Sequence, residues 1–251
     1  MRQRLTEWLG ATKKGHLEYY ERQLKKPYRS TVAFCNWLES FGLLNKNRQD
    51  VIADIGAGMG GNIHYMAKKY PKAAFIGIDI DPILVKIGNE YLKKAGIINA
   101  KLIKGDLYNL DKGYVGKYSG LVSYQTLSWL PDYELPIKKM ARLKPDWLAI
   151  TSLFYDGEVN CKITVQDYTA HLGGKLYKES FYNIYCLRLV RELFLKCGYS
   201  KFDYIPFKID IDLPKQKNKG MGTYTKKLAN GDRIQFSGPI LMNWYFILAR
   251  K

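Results

Sequence analysis

The sequence predicts an α/β fold, a doubly wound, mostly parallel sheet with helices on both faces. Two observations carry this. From Val51 to Phe154 short apolar runs alternate with amphipathic stretches, the pattern of strand–helix–strand units. A glycine-rich turn also follows the first apolar run directly, where such sheets bind ligands. The 251 residues, 47% hydrophobic and 25% charged, suffice for one large core and exclude wholesale disorder.

Taken in order, Leu5 to Lys26 is helical, with Trp8, Leu9, Leu17, Tyr20 and Leu24 on an apolar face broken at Gly10 and Gly15 and ended by Pro27. Ser30 is placed to cap a second helix with the face Phe34, Trp37, Leu38 and Phe41, stopped by Gly42. Strands follow at VIADI (51–55), AFIGI (74–78), AKLI (100–103), GLVSY (120–124) and WLAITSLF (147–154). Between them lie helices reaching Tyr70, over Pro82 to Lys94, and over Asp132 to Leu143. The polar segment of about 155–180 breaks the rhythm and reads as an insertion above the carboxyl ends of the strands. Thereafter the sequence predicts a helix over about Tyr182 to Lys196 and one long strand over FDYIPFKIDID (202–212). A hairpin turning at Asn230-Gly231 (223–236) and a final strand LMNWYFILAR (241–250), buried on both faces, close the chain. The expected organisation is a helical lid over 1–47 and one domain over 48–251.

Forty Lys and Arg against twenty-three Asp and Glu give a net charge of +17, a surface that attracts anions. Nucleic acid, an anionic membrane face or a phosphorylated substrate all fit. The lysine pairs are scattered, however, and only Lys215 to Lys219 is locally dense, which reads equally as solvated helix faces. No apolar run approaches the length of a membrane span, and the amino terminus lacks an apolar signal core, so a cytoplasmic protein is expected. Cys35, Cys161, Cys186 and Cys197 show no CxxC spacing; they read as reduced thiols, and no metal site is expected.

The sharpest feature is the run Asp54-Ile55-Gly56-Ala57-Gly58-Met59-Gly60-Gly61. Gly56, Gly58 and Gly61 match G-x-G-x-x-G, so a dinucleotide site must be weighed. Asp54, at the strand end, repels a pyrophosphate but suits an ammonium group. Asp79 ends the second strand, where a carboxylate can accept ribose hydroxyls. Lys104-Gly105-Asp106 follows the third strand, and Asp106 can accept from an adenine amine. An amine, a ribose and an adenine without phosphate together describe S-adenosyl-L-methionine.

The run DIGAGMGGN…GIDID…KGD…LVSYQTLSWL, over about Val51 to Ile150, resembles the class I S-adenosylmethionine-dependent methyltransferases. That resemblance implies a seven-stranded sheet with an antiparallel final strand. It implies that Asp54, Gly56, Ala57 and Gly58 hold the methionine end and Asp79 the ribose. Ile80 would stack on the adenine, Asp106 and Leu107 bind its edge, and Tyr124 and Gln125 line the methyl group. Tyr28 and Arg29, in a segment similar to the lid of these enzymes, would reach the cofactor carboxylate or an acidic acceptor, with Trp129 on the substrate side. Helix packing with a solvated Arg29 is an equal reading.

Two departures bear on the acceptor. Ser128 precedes Trp129 where many small-molecule members of that superfamily carry a histidine, so no base is offered there. The Asn/Asp-Pro-Pro-Tyr signature of base- and glutamine-directed amino methylases is missing after the fourth strand. A hydroxyl acceptor usually needs a general base, and Asp156, His171 and His64 are the candidates, Asp156 first because it closely follows the fifth strand. The leading expectation is methyl transfer to a hydroxyl of a small molecule or glycan, enclosed by the lid and the 155–180 insertion. An RNA or protein methyltransferase docking through its basic surface, a nicotinamide-dependent oxidoreductase and a non-catalytic cofactor-binding subunit stay open, as does the oligomeric state.

Overall fold

The computed structural model describes residues 14–169, 176–215, 217 and 221–251. In chain order it has α1 (Lys14–Lys25), α2 (Arg29–Ser40), β1 (Val51–Ile55), α3 (Gly61–Lys69), β2 (Ala74–Asp79), α4 (Pro82–Lys94), β3 (Ala100–Lys104), β4 (Gly120–Tyr124), α5 (Glu134–Ala141) and β5 (Trp147–Ser152). Then come β6 (Phe154–Tyr155), β7 (Thr164–Asp167), β8 (Lys178–Phe181), β9 (Tyr185–Cys186), α6 (Leu187–Lys196) and β10 (Lys201–Pro206). The last elements are β11 (Thr223–Lys227), β12 (Arg233–Ser237), β13 (Ile240–Leu241) and β14 (Tyr245–Arg250).

Seven strands form the main sheet in the order β10-β14-β5-β4-β1-β2-β3. β1 to β5 pair in parallel, and β14 runs antiparallel to both of its neighbours. The order reverses at β1, which places the end of β1 beside the crevice where open α/β sheets hold ligands. Alternation along each strand feeds two cores. Phe246 and Leu248 of β14 join α2, α3 and α4 on one face, while Ile247 and Ala249 join α5 and α6 on the other. No described helix is long and apolar enough to cross a membrane.

Several sequence expectations shift. Ser30 does not cap α2: the helix begins at Arg29, Tyr28 is its N-cap, and no side-chain hydrogen bond caps it. The helix expected from Tyr182 starts at Leu187, because Tyr185 and Cys186 pair with β6 instead. The long strand stops at Pro206, although Phe207 N–H still donates to the Trp244 carbonyl at 2.7 Å. The final strand is interrupted between β13, which pairs with β12, and β14, which enters the main sheet. At the hairpin tip Gly231 N–H donates to the Leu228 carbonyl and Leu228 N–H to the Asp232 carbonyl. With Gly231 at φ +88°, the turn is a three-residue loop rather than the two-residue one that Asn-Gly suggests. The insertion holds an antiparallel β7–β8 ladder among its described residues. Trp8, Leu9 and His171 lie outside the described residues, as does the side chain of His16.

Candidate functional site

The glycine turn is built by β1 and anchored on β2. Gly56 and Ala57 N–H both donate to the Ile78 carbonyl, at 2.8 and 3.2 Å. Gly56 (φ +79°) and Gly58 (φ +56°) adopt the left-handed backbone that favours glycine. The space around them is also taken. A Cβ on Gly56 would lie 2.4 Å from Thr126 Oγ1, and one on Gly58 would lie 2.5 Å from Tyr20 Cε1. Tyr20 belongs to α1, so the amino-terminal helix sits directly over the turn.

Three acids surround it. Asp54 is fully buried, and neither carboxylate oxygen has a hydrogen-bond partner. Burial, helped by the nearby Asp79, pushes its carboxyl well above the usual range, and the Asn62 side chain opposes this only in part. Asp79 is held by backbone: Gly58 N–H donates to Oδ2 at 2.7 Å and Asp81 N–H to Oδ1 at 2.9 Å. Its carboxyl is also raised, chiefly by burial, against the pull of those N–H groups. Asp106 accepts from Tyr108 N–H at 2.9 Å and caps one 3-10 turn. A cleft of about 410 Å³ opens between these elements, lined by Ile80, Asp81, Pro82, Ile83, Lys104 and Asp106. Leu107, by contrast, packs on the α5 side of the core.

This donor set fits S-adenosylmethionine. An orphaned buried carboxylate is costly unless a cation meets it, and the methionyl ammonium is such a cation. The cleft beside Ile80 and Asp106 accommodates an adenine. A pyrophosphate fits poorly, because it would face Asp54 and Asp79 together.

The turn after β4 is strained. Gln125 has φ +51°, a left-handed conformation uncommon for a residue with a Cβ, held by its N–H donating to the Thr151 carbonyl at 2.8 Å and to Thr151 Oγ1 at 3.0 Å. Tyr124 points into the α2 side of the core, with its hydroxyl 3.6 Å from Cys35 Sγ and its ring edge-on to Phe34. Ser128 is wholly buried. Its hydroxyl accepts from Leu153 N–H at 3.0 Å and meets Ser152 Oγ, so it fastens the turn to the end of β5. Trp129 packs on Tyr182, with ring centroids 4.7 Å apart.

Of the base candidates, Asp156 and His64 lie among the described residues. Asp156 is exposed and accepts from the Tyr204 hydroxyl at 3.0 Å. Tyr204 lies on edge strand β10, three strand spacings or about 14 Å from β4. Its described hydrogen bond is thus to the edge-strand side of the sheet rather than to the turn after β4. His64 is buried on α3, edge-on to Tyr91 of α4 at 5.3 Å, with its pKa lowered first by burial and then by Lys68. That is the setting of a packing residue. Arg29 pairs with Asp210 at 2.6 Å in an exposed bridge, and Tyr28 packs on Tyr19 of α1. Sequence reasoning missed Tyr20, Asn62, Asp81 and Thr126 as neighbours of the turn. Of these only Asn62 had a signal, its place directly after the last glycine.

Residues 52–146 match a family model described as a methyltransferase domain. The fold matches magnesium protoporphyrin IX methyltransferase from Synechocystis PCC 6803, solved with bound S-adenosylmethionine, at a TM-score of 0.53, 14% identity, 89% of this chain and 79% of that one. It also matches the YcgJ protein of Bacillus subtilis at a TM-score of 0.54, 11% identity, 87% of this chain and 98% of that one. Residues 52–146 therefore match a methyltransferase domain, and the chain has the class I methyltransferase fold of these solved structures. In sequence, the chain is 44% identical over 68 residues to ribosomal RNA small subunit methyltransferase H of Coprothermobacter proteolyticus, 27% of this chain and 22% of that relative. The chain spans between 20% and 39% of the length of the curated relatives it matches first.

Proposed function

We propose that this protein transfers the methyl group of S-adenosylmethionine to a hydroxyl of a small molecule or glycan. The observation that carries the cofactor half is Asp54, a buried carboxylate without a partner at the end of β1. Once ionised, it pairs with the ligand ammonium. Gly56 and Gly58 let the backbone approach, Asp79 orients the ribose hydroxyls, and Ile80 with Asp106 receives the adenine. The bound cofactor supplies a methyl carbon on a sulfonium, which is already a good leaving group. The protein's remaining task is in-line placement in a dry site. Tyr20, over Gly58, closes the turn from the lid side, and Gln125 with Trp129 bounds the acceptor side. The described part of the lid, residues 14–47, and the described segments after β5 then enclose the acceptor.

Calorimetry with S-adenosylhomocysteine tests the cofactor half, and absence of binding refutes it. Label transfer from the methyl-labelled cofactor to hydroxylated sugars tests the acceptor half. A second reading, an RNA methyltransferase, is favoured by the +17 charge and by the ribosomal RNA methyltransferase relative. Label entering RNA, with binding that weakens steeply as salt rises, selects it over the first.

A further inference from the structure

The main sheet is covered unevenly. On one face Ile52, Phe75 and Leu102 of β1, β2 and β3 lie in the core shared with α3 and α4. On the other, α5 and α6 pack with β4, β5 and β14. Residues 105–119, all described, link β3 to β4 through two 3-10 turns, Leu107–Asn109 and Lys112–Tyr114, and no α-helix. Val51, Ile76 and Ile103 are left half-buried on that second face, where they line an open cleft of about 400 Å³. Tyr114 and Tyr118, with ring centroids 5.9 Å apart, also line it. Exposed Lys101 and Lys117 complete the lining, which holds no carboxylate. Parallel strands almost always have both faces covered, so a layer is missing here. The strip from β1 to β3 spans two strand spacings, about 10 Å, which is the width of one α-helix.

We propose that this cleft is a docking surface for an acidic amphipathic α-helix of a partner protein, its apolar stripe on Val51, Ile76 and Ile103 and its carboxylates on Lys101 and Lys117. The other occupants fit less well. An extended peptide adding to the edge of β3 meets Asn89 of α4, which already accepts from Leu102 N–H and donates to the Leu102 carbonyl, both at 2.8 Å. A second copy would bring the lysines of one chain onto those of another, each chain carrying a net charge of +17. A single-stranded nucleic acid needs aromatic platforms, whereas this floor is aliphatic and Tyr118 is only 5% exposed. An apolar stripe flanked by acids satisfies both the floor and the lysines, the helix-in-groove mode of recognition. This cleft shares no lining residue with the one beside Asp81 and Asp106, so docking here is independent of cofactor binding.

The test is fluorescence anisotropy on the full chain with a labelled synthetic helix, leucine at every third or fourth position and glutamate and alanine elsewhere. The probe should bind, and a shuffled peptide of the same composition should bind at least about tenfold more weakly. Lys101→Glu combined with Lys117→Glu, and separately Ile103→Ala, should each weaken the probe by about tenfold. Lys86→Glu, exposed on α4 over the opposite face, should leave binding within about twofold. Both cleft lysines are exposed, so their variant stays decisive if Ile103→Ala does not fold. No binding of the helical probe, equal binding of the shuffled peptide, or equal weakening by Lys86→Glu overturns the proposal. Tighter binding of oligouridylate or of phosphatidylglycerol vesicles, lost in the double lysine variant, also overturns it. So does a dimer in sedimentation velocity that this variant dissociates. S-adenosylhomocysteine affinity should be unchanged in every variant, and its absence in the wild type would remove the methyl-transfer reading while leaving this surface in place.

Discussion

Replacing Asp54 by asparagine keeps the side chain's shape and removes its charge. In the cofactor-bound protein this deletes one partner of a buried ion pair, a loss of about 3 to 5 kcal/mol. At about 1.4 kcal/mol per tenfold, affinity for S-adenosylhomocysteine should fall by about two to three and a half orders of magnitude. Stability of the unliganded protein should move the other way. The Asp54 carboxyl titrates higher when folded than when unfolded, because burial disfavours its charge. Its contribution is therefore fully present below the unfolded carboxylate range and is lost as pH rises through the folded value. Near neutral pH the variant, with no charge to bury, should melt at or above the wild-type temperature. Ligand binding restores the ionised form, so wild-type binding should release a proton at any pH where the free protein holds Asp54 protonated. Calorimetry from pH 5 to 7.5, in buffers of differing ionisation heat, reads both affinity and proton count. Affinity in Asp54→Asn within threefold of wild type, or equal proton release in the two proteins, refutes the pairing of this carboxylate with a ligand cation.

Gly58→Val places a branched side chain at φ +56°, where its Cβ meets Tyr20; S-adenosylhomocysteine binding should be abolished, and binding at wild-type affinity contradicts the close-approach argument. Asp79→Ala should abolish binding and also cost about 1 to 3 kcal/mol in urea unfolding, since Gly58 and Asp81 N–H lose their acceptor. Asp156→Asn should leave turnover within twofold of wild type, because its carboxylate is spent on Tyr204 at the sheet edge, and a kcat loss of tenfold or more would return it to the chemistry.

The glycine turn was legible because it is written in backbone requirements and local order. Glycines at positive φ, an acid ending β1 and an acid ending β2 lie within one short stretch of chain. The strands β1 and β4 and the helix α4 coincide with the predicted runs, since apolar periodicity and Pro82 define them locally. Expectations failed where one segment competes for a distant partner. Tyr185 and Cys186 have the apolar character to extend α6, yet they pair with Phe154 and Tyr155. Ser30 has the chemistry of a cap, yet Tyr28 takes the position.

Asp156 shows why chain proximity is a weak guide to spatial neighbours in this fold. It follows the fifth strand by only a few residues, but β14 lies beyond β5 and carries β10 on its outer edge. The chain leaving β5 pairs as β6 with β9, and its next acid finds Tyr204 rather than the crevice. The cluster that does reach the turn after β4 is assembled from Trp129, Tyr182, Ser237 and Trp244, which are scattered over more than a hundred residues. No periodicity links such positions, and each is individually an ordinary strand or loop residue. The glycine turn is thus encoded in consecutive residues that must shape it, whereas the aromatic cluster around Trp129 is a convergence that exists only once β14 has closed the sheet.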